Sequence, residues 1–121
     1  MVGLDVTLYE VTRTVCSGCG KEDEQREEVF SANYTHNVTN MAALAGIYIA
    51  IWYPEEIGLT KARHLIPFLE LGVQKLRGDP AQFKNLNPPN GWGSYETFLP
   101  WVESYLLACK IFPDALVETC R

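Results

Sequence analysis

Two groups of residues in this chain are spaced for chemistry. Cys16 and Cys19 are separated by two residues and accompanied by Gly18 and Gly20, which lets both sulfurs face one ion, as in half of a tetrahedral thiolate zinc site. The second group lies in two amide-rich, aromatic-flanked segments: Asn33-Tyr34-Thr35-His36-Asn37, followed by Asn40, and Asn85-Leu86-Asn87-Pro88-Pro89-Asn90-Gly91-Trp92-Gly93-Ser94-Tyr95. Amide side chains donate and accept, indole and phenol offer flat faces, and Pro-Pro and Gly stiffen and bend the loop, so together they suggest a recognition surface. Its candidate ligand-binding residues are Asn33, Thr35, His36, Asn37 and Asn40 on one side and Asn87, Asn90, Trp92 and Tyr95 on the other.

Each group also has a plainer reading. At a helix amino terminus the dipole favours neutral His36, suited to hydrogen bonding or to general-base work, but a capping-turn histidine satisfied by the backbone looks the same in sequence. Trp92 can stack on a planar ring, or plug a gap between helices while Gly91 and Gly93 make a tight turn. The amino end of the last helix is available to an anionic group. For the metal, Cys120 would arrive beside Cys16 as a third thiolate if the final strand ran parallel to the first, leaving the fourth ligand open. Cys109 falls in the core by helical spacing, where a free thiol behaves as a small hydrophobe. Any zinc here is expected to be structural rather than catalytic. The chain has no Gly-x-Ser-x-Gly, phosphate loop, His-Glu-x-x-His or Gly-x-Gly-x-x-Gly, so a catalytic reading would rest on His36 with Glu55, Glu56 or Glu96, and binding is favoured over catalysis.

The elements that must position these residues follow from periodicity. Leu4 to Val15 reads as a strand with a bulge near Leu8-Tyr9, and Glu28 to Ala32 as its hairpin partner, with the paired cysteines and the acidic stretch forming a long tip over residues 16–28. Val38, Met41, Leu44, Ala45, Tyr48, Ile49 and Trp52 recur at helical spacing, with Thr35 or Asn37 as cap and Pro54 as stop. Ile47, Ala50 and Ile51 make the opposite face apolar too, which implies burial on two sides or a partner, including a second subunit. A second helix begins after Thr60, bends at Pro67 and closes at Gly78; a short turn of helix at Asp79-Pro80 leads to Phe83. Ser94 caps a last helix with Phe98, Val102, Tyr105, Leu106 and Cys109 inward, ended by Pro113, and residues 115–120 form a final strand. The expected fold is α+β: a small antiparallel hairpin with a third strand, packed against about three helices in one domain.

With 121 residues, 47% of them hydrophobic, the chain can bury one ordinary core. The net charge of −5 is concentrated in Glu22-Asp23-Glu24-Gln25-Arg26-Glu27-Glu28, while Lys61, Arg63, Lys75, Arg77 and Lys84 are spread along one helix and its exit. That distribution disfavours duplex nucleic acid as a partner. No apolar run approaches the ~20 residues needed to cross a bilayer, and nothing resembling an export signal opens the sequence, so a cytoplasmic location is expected and four cysteines are not read as a disulfide framework. The glycosylation-like strings Asn33-Tyr34-Thr35 and Asn37-Val38-Thr39 then carry no such meaning.

The same residues carry a resemblance. Ala32-Asn33-x-Thr35-His36-Asn37, Met41, Ala45-Gly46-Ile47-Tyr48, Trp52-x-Pro54, Asn87-Pro88-Pro89-Asn90-Gly91-Trp92-Gly93-x-Tyr95-Glu96 and Pro113-Asp114-Ala115 resemble a family of small uncharacterised proteins of bacterial and bacteriophage genomes. The resemblance covers most of the chain after Val29, and the Cys-x-x-Cys hairpin is similar to one that some members carry. It implies an accessory role, in the cytoplasm of the bacterial host if phage-encoded, such as countering a host defence by sequestering a nucleotide-derived signal. Two alternatives stand beside that expectation: a zinc-knuckle module that binds or inhibits a host protein through the acidic hairpin, and a small hydrolase using His36.

Overall fold

A computed structural model describes residues 3–121. Strand β1 (Gly3–Val15) runs antiparallel to β2 (Glu22–Thr35) and, on its other side, to β3 (Leu116–Cys120), giving the order β2-β1-β3. The register shifts between Leu8 and Tyr9, where the parity of the sequence changes. Leu4, Val6 and Leu8 are fully buried and stand opposite Tyr34, Ala32 and Phe30 of β2. Asp5, Asn33 and Ser31 point to the solvated face, as the two-residue period requires. With five helices, the fold is α+β.

The helices are α1 (Thr39–Leu44), α2 (Tyr48–Trp52), α3 (Ala62–Gly78), α4 (Pro80–Lys84) and α5 (Tyr95–Ile111). The single helix expected over 38–52 is therefore two. Gly46 adopts φ +77°, its N–H donates to Ala43 O and the Ile47 N–H to Ala42 O, both at 3.0 Å; this pair of bonds is a Schellman C-cap. The break redirects Ile47 onto α3, where the absence of a side chain at Gly72 admits it: a Cβ on Gly72 would overlap Ile47 Cγ2. Ile47, Ala50, Ile51 and Trp52 are all buried, while Ile49, expected inside, is 44% exposed. The first N–H groups of α3 are capped not by Thr60 but by backbone, Ala62 N to Ala115 O and Arg63 N to Pro113 O, both 2.9 Å. His64 Nδ1 accepts from the N–H groups of Thr60 and Lys61, each at 3.2 Å, so this histidine is a structural one.

Between the sheet and α3, α5 buries Phe98, Val102, Tyr105 and Cys109, facing Leu65, Leu69 and Leu76 of α3. Each such side chain contributes ~1.5–3 kcal/mol through burial. Tyr105 stacks on Phe30 at 5.9 Å between centroids, yet its buried hydroxyl has no hydrogen-bond partner among the described residues. Burial, with Cys109 nearby, raises its pKa, and burial pushes the Cys109 thiol up to about 12. Tyr105→Phe removes the unsatisfied group and keeps the ring. It is expected to stabilise the protein by ~1 kcal/mol, raising Tm by a few degrees in a thermal melt. A lowered Tm would show that the hydroxyl is bonded.

Candidate functional site

The two amide-rich segments meet. The link is Tyr34: its hydroxyl contacts Thr97 Oγ1 at 2.5 Å, donates to Ser94 O at 3.3 Å and accepts from Ser94 N at 3.2 Å, so the end of β2 is clasped to the start of α5. Its ring lies 5.5 Å from those of Phe98 and Trp101. Gly93 closes the clasp: at φ +85° its α-carbon passes so near β2 that a Cβ would stand 2.7 Å from Thr35 Cγ2 and 3.0 Å from Val38 Cγ1. Beside it opens a hollow of about 470 Å³ lined by Gly3, Asp5, Asn33, Tyr34, Thr35 and Trp92.

Within this cleft the groups differ in what they have left to offer. Trp92 is 57% exposed and held at its backbone, where its N–H donates to Asn90 Oδ1 at 3.0 Å. The Asn33 amide and the Asp5 carboxylate are exposed and make no side-chain hydrogen bond or ion pair among the described residues. Thr35 is buried, and its Oγ1 caps the turn that follows by accepting from Asn37 N at 3.2 Å. Asn37 and Asn40 are exposed on that turn and the following helix, outside the cleft lining.

The other candidates are used by the scaffold. His36 Nδ1 accepts from the buried Trp52 indole N–H at 2.8 Å, which puts the neutral ring's own proton on Nε2; acting as a base through Nδ1 would cost that bond. Asn87 Oδ1 accepts from Tyr95 N at 2.8 Å, and Asn90 closes an Asx turn on Trp92. Tyr95 is buried, its hydroxyl donating to Leu76 O at 2.8 Å and its ring stacked on Phe83, so it offers no face to a ligand.

The amino end of α5 is likewise spent, contrary to expectation. Tyr95 N goes to Asn87, Thr97 N to Ser94 Oγ at 3.2 Å and Phe98 N to Ser94 O at 2.7 Å. The Glu96 carboxylate is held below its ordinary range chiefly by its own backbone N–H, with Ser94, Lys84 and Asn87 assisting. The N–H groups of Ser94, Tyr95, Thr97 and Phe98 thus all have acceptors within the protein, and an anion would meet the negative Glu96 there.

The expected third thiolate is not beside the first two. β3 runs antiparallel to β1, and Cys120 faces Asp5 in the ladder, whereas Cys16 follows the far end of β1. At ~3.3 Å per strand residue the separation exceeds roughly 30 Å, so Cys120 cannot share an ion with Cys16 and Cys19 of its own chain. Cys16, Cys19 and Cys120 are exposed free thiols, and Cys109 is buried.

No protein-family model matches the chain, and no curated protein or solved structure matches it either. No helix among the described residues is long and apolar enough to cross a membrane. The cleft is the feature of this molecule that bears most on function. Its most informative members beyond the expected ones are Asp5 and Gly3. The alternation of Leu4 and Val6 already places Asp5 on the solvated face, but only the sheet register sets it opposite Asn33.

Proposed function

We propose that this protein binds a small molecule bearing a planar, hydrogen-bonding ring of the nucleobase kind, stacked on Trp92 with its edge toward Asn33 and Asp5. The observation that supports the reading most is the clasp through Tyr34 and Gly93. It spends buried hydrogen bonds and a close backbone approach on holding an exposed indole beside an unpaired amide. An aromatic ring fixed in this way loses little conformational entropy on binding. Asp5 is the one carboxylate or ammonium-type charge among the described lining residues, so the site favours a neutral or cationic ring. A nucleotide-derived signal would be held by its base, with its phosphates left in solvent. Sequestration of such a signal is the narrower form of this proposal.

Calorimetric titration with nucleosides, the matching monophosphates, cyclic dinucleotides and ADP-ribose tests it. At least one nucleoside is expected to bind, and its 5′-monophosphate to bind no better. Trp92→Ala is expected to remove ~1–3 kcal/mol of stacking, a loss of about 5- to 150-fold in affinity, without changing the melting curve. Absence of heat with every compound, or equal binding by Trp92→Ala, would end the proposal.

A further inference from the structure

From Thr12 to Glu28 every residue is exposed, because β3 covers β1 only from Asp5 to Tyr9. Beyond that point β1 and β2 form a bare two-stranded arm, an arrangement of marginal stability in water unless something covers or clips it. The arm nevertheless ends in an ordered turn. Cys16 N donates to Lys21 O at 2.9 Å and Gly20 N to Cys16 O at 2.8 Å, with Gly20 at φ +68° supplying the reversal. Inside the turn Cys16 and Cys19 line one hollow, with Thr14, Val15, Lys21 and Asp23 around them. The turn therefore holds both cysteines at the same hollow before any metal arrives.

We propose that this tip is half of a zinc site completed by the tip of a second copy of the chain, Cys16 and Cys19 of each supplying four thiolates to one ion. Structural zinc takes four protein ligands in a closed tetrahedron. This chain places two at the tip, and the described residues contain no cluster of three His, Cys, Asp or Glu that could hold an ion. Cys109 is in the core, Cys120 is at the opposite end of β1, and both histidines are engaged. A two-fold axis through the metal gives each chain the same two bonds, and an arm that stands clear of the body lets two tips meet without the bodies colliding.

Two neighbours fit such a junction. Lys21 and Asp23 line the same hollow as Cys16 and Cys19, so each chain sets one ammonium beside the net charge of about −2 that four thiolates leave around Zn²⁺, together with one carboxylate that offsets it. Val15, 63% exposed beside the first ligand, would be covered by its symmetry mate. Binding forms four Zn–S bonds and releases four thiol protons to solvent.

The test uses the full chain, reduced, incubated with zinc chloride and desalted, with metal measured by mass spectrometry and assembly by sedimentation. One zinc per two chains is expected, in a particle of twice the 13.6 kDa chain mass that returns to monomer with EDTA. Cobalt in place of zinc is expected to give the absorption of a four-sulfur tetrahedral site. Cys16→Ser and Cys19→Ser should each lose metal and dimer, and Cys120→Ser neither, while the thermal melt of the body stays unchanged in all three. One zinc per monomer, no retained zinc, or loss of metal in Cys120→Ser would overturn the proposal.

Discussion

Gly93→Ala is expected to cost roughly 2–5 kcal/mol and to abolish ligand binding at the cleft. Two effects act at once: a side chain at φ +85° costs ~1–2 kcal/mol in the left-handed region, and overpacking of a closed contact costs ~1–3 kcal/mol. The new Cβ would fall 2.7 Å from Thr35 Cγ2 and 3.0 Å from Val38 Cγ1, with Tyr34 Cε1 at 3.3 Å. These atoms belong to a strand end and the turn after it, so relief comes only by moving the loop away and opening the Tyr34 clasp. Gly91 provides the control. It has nearly the same conformation, φ +75°, and open space where a Cβ would go, so Gly91→Ala should show the backbone strain alone. A denaturant melt of the two variants separates the terms, and equal losses would refute the close-approach argument.

Trp52→Ala is expected to be the most destabilising single change, at ~3–5 kcal/mol. The ring is 1% exposed, lies 5.6 Å from Tyr48 and 6.4 Å from Phe98 between centroids, and donates its N–H to His36. Its carbonyl accepts from Arg121 at 2.8 Å, whose guanidinium also sits over Tyr53 and pairs with Glu55. Deleting the indole leaves a large cavity at the junction of α2, α5 and the turn that bears His36. Trp52→Phe retains most of the volume and leaves His36 Nδ1 without its donor, so a smaller loss of ~1–3 kcal/mol is expected. A double-mutant cycle with His36→Ala measures the bond itself. A coupling energy of zero would show that His36 is not held by Trp52 and is free for another role.

Much of this arrangement could be read from residues alone, where local chemistry and periodicity agreed. The parity change at Leu8-Tyr9 located the bulge, and Ser94 followed by a helical stripe located α5 and its cap. The failures have physical causes. Apolar spacing continues smoothly across Ala45-Gly46, so the helix break there was hidden, although glycine after an apolar turn is a C-cap pattern. Direction was the missing quantity for β3: residues 115–120 look the same run either way, and only the ladder puts Cys120 against Asp5. Within the amide-rich segments, residue type could not separate a group that faces a ligand from one that holds the loop. Asn90, two residues before Trp92, is an Asx turn by spacing, but the bonds of Asn87 to Tyr95 and of His36 to Trp52 reach across the chain.

The central place of β1 also dictates when the sheet can be completed. β1 and β2 are joined by a tight turn, so their ladder needs only local closure and can form within microseconds. β3 has to bring Cys120 back to Asp5 from nearly the other end of the sequence. That closure costs little equilibrium stability, since its entropy grows only with the logarithm of length, but such distant pairings slow folding. On a translating ribosome the stretch from Asp5 to Tyr9 therefore waits with one row of its backbone amides and carbonyls unclaimed until residues 116–120 emerge. The hazardous interval for this sheet is thus the one before β3 arrives to cover β1.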